Sequence, residues 1–194
     1  MSYEILLASR SPRRKALVEE LGIPFRVVET GHASEEYPAG LEGGEIAVYL
    51  AERKSGAYPG SIGEREILLT ADTIVWLDGR ELGKPGDRAA AMAMIGRLSG
   101  RTHQVYTGVC LSTVSRKSSF VAVTDVTFAR LEEEEVIYYV DRFRPYDKAG
   151  AYGIQEWIGH VAVERINGSY FNVMGLPVQH VYSELKKMIL MDRG

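Results

Sequence analysis

"EILLTADTIVWLDG", residues 66–79, decides the fold class of this chain. From Glu66 to Leu77 the run is nearly continuous in apolar and β-branched residues. Asp78-Gly79 then closes it with a pair favoured in tight hairpin turns. A strand of this kind is buried on both faces, so the sheet it belongs to needs helices to cover it. Asp72 interrupts it. An unpaired buried carboxylate costs several kcal/mol, roughly, so Asp72 needs a cation, hydrogen-bond donors, a metal or a cleft at a strand end. A structural ion pair with an internal Arg or Lys is the plain alternative.

Towards the amino terminus, "EILLA" reads as a strand. "SPRRKALVEELG" reads as a helix with Ser11 as N-cap, Pro12 at the first position and Gly22 just past its end. Ala16, Leu17 and Leu21 make its expected apolar stripe. "FRVVET" is a second strand and "GHASEEYPAGLEGG" a loop. "EIAVYLAERKSGAY" has helical spacing through Ile46, Ala47, Leu50 and Ala51. Beyond the hairpin, "LGKPG" is a loop and Asp87 can cap the helix "RAAAMAMIGRL". "THQVYTGVCLSTV" and "SSFVAVTDVTFARL" are long strands joined by a polar turn. "EEEEVIYYVDRF" starts a helix with acids where the helix dipole favours them. "RPYDKAGAYGIQ" is irregular, "IGHVAVERI" reads as a strand, and Asn167-Gly168 as a turn. Pro177 opens a last helix with Val178, Val181, Tyr182, Leu185 and Ile189 on one face. Mixed strands and helices predict an α/β or α+β fold around a mixed sheet flanked by helices.

Composition bounds the function. At 194 residues the chain suits one domain, 1–194, or two closely packed lobes, and 45% hydrophobic residues suffice for a core. The net charge of -3 gives no general attraction to nucleic acid or anionic membrane, so phosphate affinity needs a local cluster. The lone Cys110, between Val109 and Leu111, reads as a buried thiol. No run approaches the ~20 apolar residues of a membrane span and no signal peptide is visible, so a cytoplasmic protein is expected. The four histidines lack zinc-like spacing, and no Walker-type phosphate loop occurs.

Two further features break local rules. Arg13 and Arg14 stand in the first turn of a helix, where the dipole disfavours cations and the free N–H groups attract anions. A phosphate held between the N–H groups and the guanidinium groups would relieve both; side chains pointing into water are the alternative. Lys54 follows Ile46 and Leu50 at four-residue intervals, on the inward face of its helix. Lys84, before Pro85, sits on a stiff loop, and Glu35 and Glu36 on another.

Together, "ASRSPRRKAL", "LAERK", "ADTIV", "GKP", "LSGRTHQVYTGV", "DKAGAYGIQ" and "INGSYFNVMGLP" resemble the Maf family of nucleoside triphosphate pyrophosphatases, in order and over nearly the whole chain. The resemblance implies two lobes around a deep nucleotide-binding cleft. It implies hydrolysis of a nucleoside triphosphate to monophosphate and pyrophosphate, with Mg²⁺ or Mn²⁺, and a homodimer. It maps Ser9, Arg13 and Arg14 to the signature loop, and Glu35, with Glu36 beside it, to the loop acid. Lys54 and Lys84 match site lysines, and Asp72 the catalytic aspartate, as base or metal ligand. Thr73 and Gln155 match the branch acting on dTTP and UTP rather than on 7-methyl-GTP. Arg10 departs from the signature's usual small residue. On this reading Arg13, Lys54 and Lys84 neutralise phosphate oxygens, and Glu35 and Asp72 are the carboxylates for Mg²⁺. A nucleotide-binding regulatory protein of cell division is the rival, although binding alone gives no reason for an acid beside a polyphosphate. The charge balance argues against a nucleic-acid-binding module.

Overall fold

The run at residues 66–77 forms a single strand, β3 (Glu66–Leu77), and the rest of the sheet is arranged around it. The computed structural model describes residues 3–191. On one side of β3 lie β1 (Glu4–Leu7), parallel to it, and β2 (Phe25–Val27), parallel to β1. On the other side β5 (Thr102–Ser112), β6 (Lys117–Phe128) and β7 (Val163–Asn167) follow antiparallel. The seven-stranded mixed sheet has the order β2-β1-β3-β5-β6-β7. The seventh strand, β4 (Arg80–Leu82), folds back on β3 through Asp78 and Gly79, both left-handed at φ 54° and 71°.

The registers leave a gap. β1 pairs with Glu66–Leu69, and β4 pairs only with Val75–Leu77. Residues 70–74 therefore have β5 on one side and, among the described residues, no strand on the other. Asp72 and Thr73 sit in this opening.

Two cores flank it. Ile5, Leu7 and Leu69 pack with Leu17 and Val18 of α1 (Pro12–Glu19) and with Val181 and Leu185 of α7 (Val178–Met191). Val75 and Leu77 pack with Ile95 of α3 (Arg88–Leu98), Tyr139 of α4 (Glu133–Phe143) and Ile158 of α5 (Trp157–Val161). Between them, α6 (Tyr170–Met174) ends at Gly175. The opposite face is covered by α2 (Gly44–Gly56), whose Ile46 and Leu50 meet Ile74. Gly108 of β5 permits this close packing: a Cβ there would stand 2.2 Å from the Ala47 carbonyl carbon and oxygen. The architecture is thus α/β, a mixed sheet flanked by helices. Cys110 is buried, and among the described residues no helix is long and apolar enough to cross a membrane.

Three local expectations are corrected. The buried stripe of α1 is Leu17 and Val18, while Ala16 is exposed. The helix is rotated because Arg14, one turn before Val18, points inward. The segment expected as one strand at "IGHVAVERI" is a helical turn, α5, followed by β7; one turn is too short for its periodicity to show. On α7, Tyr182 is largely exposed and Met188 takes the buried position, keeping the phenol in water.

Candidate active site

A cleft of about 580 Å³ opens between the two cores at the gap in β3. It is lined by Ser9, Arg13, Arg14, Glu35, Lys54, Asp72, Thr73, Lys84 and Gln155. Six segments far apart in sequence thus deliver every residue singled out above except Glu36. Arg10, Arg13, Arg14, Lys54, Lys84 and Lys148 outnumber the lining carboxylates Glu35, Asp72 and Asp147. A chain of net charge -3 has concentrated positive charge where a polyanion can enter.

Asp72 and Thr73 point to opposite faces of β3 and both reach the cleft because the strand edge between them is open. On the α2 face, Lys54 Nζ donates to Asp72 Oδ1. The same helix is fastened to β3 one pleat earlier, where Thr70 Oγ1 donates to the Ala51 carbonyl at 2.7 Å. Lys54, at the sheet-facing end of α2, therefore meets the carboxylate in the gap. The side chains are 24% and 15% exposed, enough for the cleft to reach them.

On the other face, Ser11 caps α1 by accepting from Arg14 N at 3.3 Å, and the buried Ser9 Oγ accepts from Ser11 N at 3.2 Å. The arginines then diverge. Arg13 is one-third exposed, with Nη1 3.8 Å from Asp147 Oδ2. Arg14 is turned inward and donates through Nε to the Gly175 carbonyl at 2.8 Å, through Nη1 to the Ala71 carbonyl at 2.8 Å and through Nη2 to Thr73 Oγ1 at 3.0 Å. Burial pulls its pKa down, opposed by the charge of Asp72. The frustrated first-turn charge of Arg14 is thus met by protein oxygens, including a carbonyl that the missing neighbour strand leaves free. Thr73 Oγ1 also bonds Thr107 Oγ1 at 2.9 Å, and Thr107 Oγ1 donates to the Asn172 carbonyl at 3.1 Å. One lone pair of the Thr73 hydroxyl remains.

Across the cleft, Lys84 Nζ donates to Glu35 Oε1 at 2.7 Å. That bond, with the charges of Lys84 and Lys54 behind it, holds Glu35 below the usual carboxylate range despite partial burial. Glu36 is absent from the lining; its carbonyl accepts from Arg53 Nη1 at 2.7 Å. Gln155 is exposed to the cleft and makes no side-chain hydrogen bond among the described residues.

Asp147 and Lys148 also line the cleft, and no local pattern in the sequence marks either of them individually. Lys148 Nζ lies 2.7 Å from Asp147 Oδ1 and 3.1 Å from Glu156 Oε1, with a side chain only 11% exposed. Burial works against the charge of Asp147, yet Lys148 and Arg13 leave its pKa lowered. "DKAGAYGIQ" was the only signal. Loop lysines are ordinarily solvated, and nothing local shows that this one is covered.

Among the described residues no group of three or more His, Cys, Asp or Glu side chains could hold a metal ion. Two of the lining carboxylates, Glu35 and Asp72, are hard oxygen donors of the kind taken by a cation that keeps several waters. They do not make an all-protein cage.

Comparison with known proteins bears on the fold and the family. A solved HAM1 protein from Coxiella burnetii shares the fold, with a TM-score of 0.54 at 14% identity over 95% of this chain and 99% of that one. Proteins named "dTTP/UTP pyrophosphatase" from Bacteroides fragilis (strain ATCC 25285) and Phocaeicola vulgatus are each 55% identical over 186 residues, 96% of both chains. Residues 4–188 match the family described as Maf-like protein. With the match spanning both lobes and the cleft between them, the chain belongs to the Maf family.

Proposed function

We propose that this protein hydrolyses nucleoside triphosphates, dTTP and UTP foremost, to the nucleoside monophosphate and pyrophosphate. One observation carries the reading: a carboxylate, Asp72, stands in the opening of a sheet among more cations than acids. A site built only to bind polyphosphate would be weakened by that acid.

Arg13, Lys54 and Lys84 bind the phosphate oxygens, giving up part of their pairing with Asp147, Asp72 and Glu35. Asp72 accepts a proton from the water that attacks the α-phosphorus. The bond from that phosphorus to the bridging oxygen breaks, and pyrophosphate carries away the electron pair. Lys54 orients the carboxylate and shares the developing charge, since positioning and neutralisation dominate phosphoryl chemistry. A divalent cation, Mg²⁺ or Mn²⁺, would be held by Glu35 and Asp72 together with phosphate oxygens, and when bound supplies further neutralisation of charge. Gln155 offers a free amide, donor and acceptor at once, for a uracil or thymine edge, and Thr73 one lone pair. Such a site rejects bases whose donors are misplaced. A cytoplasmic homodimer completes the proposal, with the exposed Val121 and Val123 of β6 as apolar surface for a second copy.

The test is pyrophosphate release from a panel of nucleoside triphosphates with Mg²⁺ or Mn²⁺. dTTP and UTP should lead, and Asp72→Asn should lower turnover by about 10²- to 10⁴-fold, the usual contribution of a general base. Near-normal turnover in Asp72→Asn removes it from the mechanism. A purine preference contradicts the base reading, and nucleotide binding without release moves the protein to the regulatory class.

A further inference from the structure

The wall of the cleft that carries Gln155 is held from behind by a phenol and a carboxylate. Tyr139, on α4 and fully buried, donates its hydroxyl hydrogen bond to Glu156 Oε2 and accepts one from Gly153 N at 3.1 Å. Glu156 Oε1 meets Lys148 Nζ at 3.1 Å. The main chain closes a tight turn, with Glu156 N donating to the Gly153 carbonyl at 2.9 Å. Both ends of the wall segment, Lys148 and Gly153, are therefore tied to one pair, the buried Tyr139 and the half-buried Glu156, and Gln155 lies between Gly153 and Glu156.

Burying a phenol against a carboxylate strips water from both, and a charge-assisted hydrogen bond offsets that loss. Packing alone does not need it, because an apolar side chain would fill the space beside Tyr139 without desolvating an acid. The pair adds a fixed direction. It sets the depth and angle at which the segment, and Gln155 with it, faces the cleft.

We infer that Tyr139 and Glu156 are positioning residues for base discrimination, acting through Gln155 without touching the substrate. The inference rests on the reading of Gln155 as the base-contacting residue.

The test compares kcat/KM for UTP and CTP, which share sugar and triphosphate and differ at the base edge. The variants are Gln155→Ala, Tyr139→Phe, Glu156→Ala and the double variant Tyr139→Phe/Gln155→Ala. Phe keeps the ring in place, and Glu156 is 24% exposed on its side chain, so each single variant is expected to fold, as a thermal melt will verify. Each single variant should lower the UTP:CTP ratio on the order of tenfold. In the Gln155→Ala background Tyr139→Phe should cost no further discrimination, as expected of a group acting through Gln155. Loss of discrimination in Gln155→Ala with a wild-type ratio in both other single variants overturns the inference and leaves the reading of Gln155 standing. An unchanged ratio in Gln155→Ala overturns that reading and this inference with it. Equal losses for UTP and CTP in Tyr139→Phe reduce the pair to a structural role and overturn the inference.

Discussion

Arg13 and Arg14 are adjacent, identical in type and both on the cleft, yet the structure gives them different partners. Arg14→Ala deletes the hydrogen bonds to the Gly175 and Ala71 carbonyls and to Thr73 Oγ1. Hydrogen bonds from a charged group contribute roughly 1.5–3 kcal/mol each. Against that stands the cost of burying a guanidinium with no carboxylate in direct contact, several kcal/mol on the order of magnitude, which the variant no longer bears. The net loss expected is about 2–4 kcal/mol of stability. In a chain of this length each kcal/mol moves Tm by about 2–4 °C, so Arg14→Ala should melt about 4–16 °C lower. Arg14→Lys should lose most of the same amount, because an ammonium cannot reproduce a three-way planar fork. Arg13→Ala removes one long, partly exposed ion pair, with an effect below about 1 kcal/mol. It should leave Tm nearly unchanged and raise KM for the nucleotide. The assay is thermal denaturation of the three variants beside steady-state kinetics. An Arg14→Ala protein melting with the wild type, or an Arg13→Ala protein destabilised as strongly, refutes the division of labour.

Two other outcomes are expected. His103 is buried, bonds Tyr152 Oη through Nε2 at 2.8 Å and, among the described residues, has no partner for Nδ1; burial pushes its pKa down to about 4. Its unfolded value is about 6.5, so below that pH the unfolded chain binds the extra proton and stability falls with pH. Between pH 6.5 and 5 the loss should be about 2 kcal/mol in urea unfolding, a window above that in which the depressed carboxylates Glu35 and Asp147 lose their contribution. His103→Gln should flatten it, and an unchanged slope in that variant assigns the effect elsewhere. Gly108→Val places a side chain against the Ala47 carbonyl, so α2 must shift and carry Lys54 away from Asp72. Overpacking of this kind costs about 1–3 kcal/mol or more; both Tm and turnover should fall, and a variant matching the wild type in both would show that the helix can give.

The sequence by itself determined the parts. A nearly continuous apolar run made β3, Asp78-Gly79 made its turn, Ser11 and Asp87 capped their helices, and the charges out of place on the local pattern, Arg13, Arg14, Lys54 and Asp72, all came to the cleft. These are local matters, because propensity, capping and desolvation act within a turn or a strand. Some boundaries were not legible. A single helical turn at residues 157–161 has too few residues to declare a period, and the face α1 presents depends on where Arg14 finds its acceptors. Only the tertiary structure decided which partners the parts find. Arg14 bonds the Ala71 carbonyl because, among the described residues, the edge at 70–74 lacks a neighbour strand, which no local pattern reveals. Glu35 rather than Glu36 faces Lys84, while Arg53 of α2 holds the Glu36 carbonyl. Lys148 is covered because Tyr139 and Glu156, from a helix and a turn, close behind it. A side chain's partners are set by which distant backbone comes within about 3 Å, and that distance exists only once the chain has folded.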